Sequence, residues 1–418
     1  MRSVKKVPKI SRNSHVEHIK KKIDYSLVGV VVGLSIFGAL MVYDGSAIVA
    51  VRQGNSADVY FWKQVVWVIF GLIAGYIAFR IDYHFFARLS FPMVITSVVL
   101  LILVLIINQD QDIKRWIPLG PFDLQPSEIA KFTFLIYLSS WLSKRRDQVT
   151  DVSEKVKYHI KHELIPFLLL LGFICFLISI EPDMDTTIML GVTSFIVYFL
   201  SGNDRIHLYG SLAVGILSTV IVGIATIAAK YRLNRLTNFL DFWRTGNISN
   251  PFSDGYQFKQ ILVAVASGSW IGLGFGQSRQ KFFYLGDTAF SDTIFAIIAE
   301  EFGLIGCIIL LGLFAFIFFK GYKIASKAPD KLGFLVVVSI ITWLTFQSIL
   351  HIGANIALIP INGNTLPFIS YGGSSTVINL VAIGVVLNVA SQSIGAHKIG
   401  LKKTSHEAID IMKRLRNK

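Results

Sequence analysis

Charged residues are scarce in this chain: they make up 16% of its 418 residues, against 53% hydrophobic. Water-soluble domains carry about 25% charge, so a soluble globular protein is excluded and a polytopic membrane protein is implied. Acids are scarcer than bases, 26 Asp and Glu against 40 Lys and Arg, leaving a net charge of +14. In a soluble chain that excess would suggest nucleic acid. Here most basic residues lie in tails and short loops between apolar runs, where they orient a chain in a membrane, and no nucleic-acid partner is expected. Cysteine is almost missing, and Cys175 and Cys307 each stand alone in an apolar run. Neither a disulfide framework nor a thiolate metal site is indicated. An uncleaved first span, not a cleavable leader, is expected at the start. Residues 1–23 are polar and basic, and the first apolar run is too long for a secretory segment and has no clear small-residue cleavage site.

What is present is a series of apolar runs. A spanning helix needs about 20 apolar residues, and runs near 25–43, 61–79, 89–107, 127–142, 164–180, 186–200, 208–228, 293–319, 333–358 and 374–395 predict an all-α bundle of about ten transmembrane helices. The fourth and sixth are short and must pack inside the bundle or thin the bilayer. Basic residues before Lys22, at Arg80 and Arg88, in 144–161, at Arg205, in 320–331 and in the C-terminal tail place both termini in the cytoplasm. The expected division is a basic tail to residue 23, one membrane domain over 24–396 and a second basic tail over 397–418. The apolar stretch 260–276 competes as an eleventh span, but crossing there would invert the charge bias of the later loops. A re-entrant or interfacial helix is preferred. Residues 229–292 then form one long extracytoplasmic loop between the seventh and eighth spans. Leu233, Leu236, Leu240 and Trp243 recur in it at helical spacing with Arg232 and Arg235 off the stripe, as in a helix lying on the membrane surface or receiving an anionic head group.

Several polar constellations interrupt this apolar background. "SDTIFAIIAEEFG", 291–303, puts Asp292 at the outer mouth of the eighth span. It reads either as a helix cap or as a general base whose proton affinity is raised near lipid. Glu300 lies about 80° around an ideal helix from Asp292 and Glu301 on the opposite side, so the two should not share a role. In "LQPSEIAKF", 124–132, Glu128 and Lys131 are three residues apart at the entrance to the fourth span. They are either a structural ion pair or, with Arg115 and Trp116, the wall of an anionic site. "EPDMDTT", 181–187, gathers Glu181, Asp183 and Asp185 between two spans, as a polar hairpin or a weak divalent-cation site. "LPFISYGGSST", 366–376, breaks regular structure at Gly372 and Gly373, after which Ser374 and Ser375 can cap the last helix and leave amides for a phosphate oxygen. His351, well inside an apolar run, is expected to hydrogen-bond to a neighbouring helix rather than to bind metal.

Taken together, "KRWIPLG" (114–120), "LQPSEIAKF", "DGYQ" (254–257), "SDTIFAIIAEEFGLIG" (291–306) and "LPFISYGGSS" (366–375) occur in one order and in matching topological places. In these strings the chain resembles the SEDS family (shape, elongation, division and sporulation), and "NTLPF" favours its cell-division branch over its elongation branch. The resemblance implies a peptidoglycan glycosyltransferase that polymerises lipid II at the outer face of the bacterial inner membrane, at the division septum. The implied partners are the growing glycan strand, a class B penicillin-binding transpeptidase and other division proteins. Asp292 matches the family's essential acid. Arg115, Glu128, Lys131, Tyr256, Gln257, Ser370, Tyr371, Gly372 and Gly373 fall on recurrent motif positions. Arg115, Lys131 and Arg235, or a divalent cation such as Mg or Mn, would offset the pyrophosphate charge. Departures are "LGDTAFSD" (285–292) where "LPE" is usual, with Asp287 near the missing Glu, His351 where Asn is common, and "EPDMDT" for the usual "QPDLGT". A lipid II flippase and a non-enzymatic division scaffold are the competing readings.

Overall fold

A computed structural model describes residues 23–107, 115–118, 120, 123–144, 160–202, some positions between 208 and 223, 230–246 and 254–393. In hydrocarbon every backbone polar group must be satisfied within the protein, so apolar runs of this length fold as helices. Seven described helices are long and apolar enough to cross a membrane: α1 (Tyr25–Arg52), α2 (Val59–Arg80), α3 (Tyr83–Ile107), α5 (Ile160–Ile180), α10 (Ile294–Ala325), α11 (Lys331–Asn355) and α12 (Gly373–Ser393). Two shorter ones, α4 (Pro126–Ser143) and α6 (Met184–Leu200), have 18 and 17 residues and pack against each other and against α11, with α4 also against α3. Their shortness is tolerable because protein, not lipid, surrounds most of α4. Most of the predicted span at 208–228, both basic tails and most of the 144–161 block lie outside the described residues, as do the side chains of Arg232 and Asp287. A two-residue antiparallel pair, β1 (Ile117–Pro118) with β2 (Asp123–Leu124), forms the turn ahead of α4.

Three helices belong to the long connection: α7 (Lys230–Thr245), α8 (Asp254–Ser267) and the single turn α9 (Gln280–Phe283). The stretch 260–276 goes in and comes back on one side. Near the start of α8, Gln257 Nε2 donates to Thr288 Oγ1 at 3.2 Å, while the far end reaches the middle of α10. There Leu273 and Gly274 donate to the carbonyls of Glu300 and Glu301, both at 3.0 Å, and Leu304 and Ile305 donate to Ser269 and Trp270 at 2.9 and 3.1 Å. The carbonyls and amides come free because α10 is broken at Gly303, with φ 64° and ψ −166°. Gly272 holds φ +79° at the tip, and a Cβ there would overlap the Glu301 carbonyl. Irregular backbone at membrane depth is satisfied here by a second piece of irregular backbone, as it must be.

This hairpin also explains the acids of α10. Glu300 accepts from Ser278 Oγ at 2.5 Å and from the amides of Arg279 and Gln280, while Glu301 accepts from the Ser278 amide at 3.0 Å and from Lys281 Nζ at 2.7 Å. Lys281 Nζ also donates to Asp44 Oδ1 of α1 at 2.5 Å. Sequence geometry alone separates the two glutamates. The structure unites them, because the Ser278–Lys281 turn lies across both faces and meets each carboxylate.

Candidate active site

Asp292 is fixed by its backbone. Ser370 Oγ donates to the Ser291 carbonyl at 2.7 Å, the Tyr371 amide to Phe290 O at 2.9 Å, and Asn355 Nδ2 to Asp292 O at 3.1 Å. Its carboxylate is not a helix cap, since Thr293 occupies the N-cap of α10 and no side chain caps it. It turns instead into a cleft. Burial, and next the charge of Asp185, push its pKa up to about 6, against the downward pull of Ser291, Arg115 and Arg235.

Arg115 is anchored from behind: Nε donates to Glu181 O at 3.3 Å and Nη2 to Pro182 O. Its Nη1 and two carboxylates gather around Gly363, where a Cβ would lie 3.6 Å from Asp185 Oδ2, 3.7 Å from Arg115 Nη1 and 3.7 Å from Asp292 Oδ2. Asp185 is held there by the Gly363 amide, which donates to its Oδ2 at 2.7 Å. Arg115 lines two cavities. One, of about 590 Å³, contains Asp292 with Lys63, Trp67, Trp116, Tyr371 and Gly373. The other, of about 340 Å³, contains Asp185 and Arg235 with the apolar Met184, Ile188 and Leu236.

The "EPDMDTT" turn is therefore a wall of this cleft and not a metal cage. Asp183 caps α6 through Thr186 and binds Gln125 Nε2 and Ser127 Oγ at 3.1 and 3.0 Å, so its lone pairs are spent. Glu181 is buried with neither carboxylate oxygen bonded. Among the described residues no three His, Cys, Asp or Glu side chains converge on a point. A guanidinium already stands beside the two cleft carboxylates, around the same glycine.

Other expected site residues are placed elsewhere. Lys131 is buried with Nζ 2.7 Å from Glu128 Oε1 and 5.2 Å from the Trp343 ring centroid, lining neither cavity. The ion-pair alternative is the one the structure adopts. Its proximity to Arg115 in the sequence misleads because α4 carries Lys131 away from the cleft into the bundle. Tyr256 is exposed on α8 and Gln257 is bound to Thr288, so both serve the hairpin's region and line neither cavity. Ser370 acts on the backbone. Tyr371 stands edge-on to Tyr60, with ring centroids 5.4 Å apart, and Gly373 lets Trp67 approach the backbone. Ser374 bonds to Gln125 N and Asp123 O, and Ser375 to Thr365, which leaves these hydroxyls tied to neighbouring segments instead of capping α12. His351 Nδ1 donates to Asn364 O at 2.6 Å, so its partner is a loop carbonyl and not the neighbouring helix expected. Lys63 and Trp67 were missed by sequence reading. Their signal is the run Tyr60, Lys63, Gln64, Trp67 on one face of α2.

A helical membrane bundle with a re-entrant hairpin, an acid held in a cleft and arginines facing that acid defines a membrane-embedded site for a polyanionic, amphipathic substrate. Residues 25–394 match the FtsW/RodA/SpoVE group of cell cycle proteins, and the chain belongs to that family. It is 34% identical over 375 residues to a probable peptidoglycan glycosyltransferase FtsW of Aliivibrio salmonicida, covering 88% of this chain and 89% of the relative. With the stage V sporulation protein E of Bacillus subtilis it shares 35% identity over 378 residues, 90% and 98% of the two chains. Among solved structures it resembles a chain from a peptidoglycan synthase complex that coordinates polymerization and crosslinking, with TM-score 0.68, 26% identity and coverage of 89% and 98%. The rod shape determining protein RodA of Thermus thermophilus has the same fold, with TM-score 0.59 at 23% identity over 88% and 96% of the chains.

Proposed function

We propose that this protein polymerises lipid II into glycan strands, with Asp292 as general base. The carrying observation is that a strapped, partly buried carboxylate faces an anchored guanidinium where two cavities meet. The 4-hydroxyl of an incoming lipid II attacks the anomeric carbon of the growing strand. Asp292 takes the hydroxyl proton, a new carbon–oxygen bond forms, and the bond to undecaprenyl pyrophosphate breaks with its electron pair on the leaving phosphate. Arg115 and Arg235 face that leaving charge, and fixed cations in a partly dehydrated cleft stabilise it without reorganising. Trp67, Trp116 and Tyr371 offer faces for sugar rings. No step is routed through a metal ion.

On this reading the protein works in the bacterial inner membrane, with the cleft facing outward, beside a class B penicillin-binding transpeptidase at the septum. The relative named a peptidoglycan glycosyltransferase and the synthase-complex fold support it. The test uses purified protein with its transpeptidase partner and lipid II. Asp292→Asn should lower polymer formation by about 100-fold or more without lowering the thermal midpoint, since burial works against the charged form. The wild-type rate should fall as pH drops through about 6, where Asp292 becomes protonated. Polymer from the variant at the wild-type rate, or lipid II translocation with no polymer from either protein, would overturn the reading.

A further inference from the structure

Asp185 is a second acid at the cleft that the reaction above does not use. It stands in the first turn of α6. Its position is built, not incidental: the Gly363 amide holds Oδ2 at 2.7 Å, and the same glycine faces Arg115 Nη1 and Asp292 Oδ2. One guanidinium and two carboxylates thus gather around a single glycine, and one cation cannot neutralise both acids. Arg115 is held in place by the carbonyls of Glu181 and Pro182, which limits how far it can shift toward either acid.

We propose that Asp185 is a positioning residue for the reaction: by competing with Asp292 for Arg115, it keeps the base from being locked into a one-to-one ion pair and leaves it able to accept the sugar proton. A carboxylate beside an undivided cation holds its proton weakly and is a poor base. Shared with a second acid, the cation pulls less. The groups that act on Asp292 are Asp185 from α6, Arg115 from the segment before β1 and Arg235 from α7, with Lys63 of α2, Asp123 of β2 and Tyr371 lining the same cavity. Arg235 lines the smaller cavity with Asp185.

This inference rests on the general-base reading, and its test separates the two. In full-length protein reconstituted with its partner, Asp185→Asn keeps the size and the oxygen that accepts from Gly363 but removes the charge. Asp185→Ala serves as a second variant should the first misfold. Two quantities are read against pH. The first is labelling of the Asp292 peptide by a water-soluble carbodiimide, which reacts with the protonated carboxyl and needs no activity. The second is the rate of glycan polymerisation. The labelling midpoint should fall by about one pH unit in the variants, the acidic limb of the rate profile should move with it, and the plateau rate should drop. An unchanged or raised labelling midpoint overturns the proposal, even if activity is lost, since a merely structural Asp185 would lower the rate without moving Asp292. A lowered midpoint with an unmoved rate limb upholds the competition for Arg115 and instead removes Asp292 from the role of base.

Discussion

Glu181 is buried without a hydrogen bond to either carboxylate oxygen, and burial first, then the nearby Asp183 charge, push its pKa up to about 9 against the pull of Arg115. It therefore carries its proton at neutral pH. An unfolded glutamate titrates near 4.3, so the native state holds a proton that the unfolded state releases. The sign follows: stability is highest below about pH 4.3 and declines as pH rises toward 9. Glu181→Gln removes that decline with little change of shape. Its thermal midpoint should gain on the wild type progressively from pH 5 to pH 8, and parallel curves would contradict the assignment. Lys131 shows the opposite balance, since its buried charge is matched by Glu128 at 2.7 Å and by the Trp343 face. Removal of either member of such a pair strands the other, a loss of about 3–5 kcal/mol, so its place in the motif is accounted for by the fold.

At the scale of elements, α10 and the hairpin are interdependent. The break at Gly303 exposes four backbone groups that only the 269–274 tip satisfies, and the tip in turn has no other partner for its amides of Leu273 and Gly274 among the described residues. Beneath it, Lys281 joins Asp44 of α1 to Glu301 of α10, so the hairpin is pinned by charge as well as by backbone. Gly272→Ala tests this unit. The left-handed backbone alone costs an alanine about 1–2 kcal/mol, and overlap with the Glu301 carbonyl adds to it. Limited proteolysis should then cut within 268–278 where the wild type resists, and the thermal midpoint should fall. An alanine variant as resistant as the wild type would mean the tip is not docked as described.

The whole molecule is packed from the inside by shape and bounded on the outside by lipid. On α3, Leu101 is fully buried while Leu103, two residues on, is 40% exposed. Lipid tails are as apolar as leucine, so an outward leucine gains little from its position, whereas an inward one fills space that nothing else fills. Leu101→Ala should cost about 2–5 kcal/mol as a cavity forms, and Leu103→Ala under about 1 kcal/mol, both read by denaturation in detergent or lipid. Similar losses at both would refute the lipid-facing assignment of that side of α3. The cleft is placed by the same packing. Apart from Phe290 and Ser291, its walls come from α2, α6, α7, α12, the turn before α4 and the segment after α11, all distant in the chain from Asp292.

The amino-acid sequence by itself determined the class of fold. Apolar runs of spanning length have only one way to satisfy their backbones in hydrocarbon, and each such run that is described is a helix. It also marked Asp292, because an acid at the mouth of an apolar run is conspicuous. Tertiary structure alone decided which polar residues stand beside that acid. Arg115 and Asp185 gather with it around Gly363, while Lys131 and Glu128, in an equally prominent motif, are buried against each other. The reason is that helix periodicity fixes which residues share a face, but not which face meets which neighbour. Asp185 and the pair Glu300 and Glu301 acquire their roles only when Gly363 and the Ser278–Lys281 turn, 178 and about 20 residues away along the chain, are packed against them.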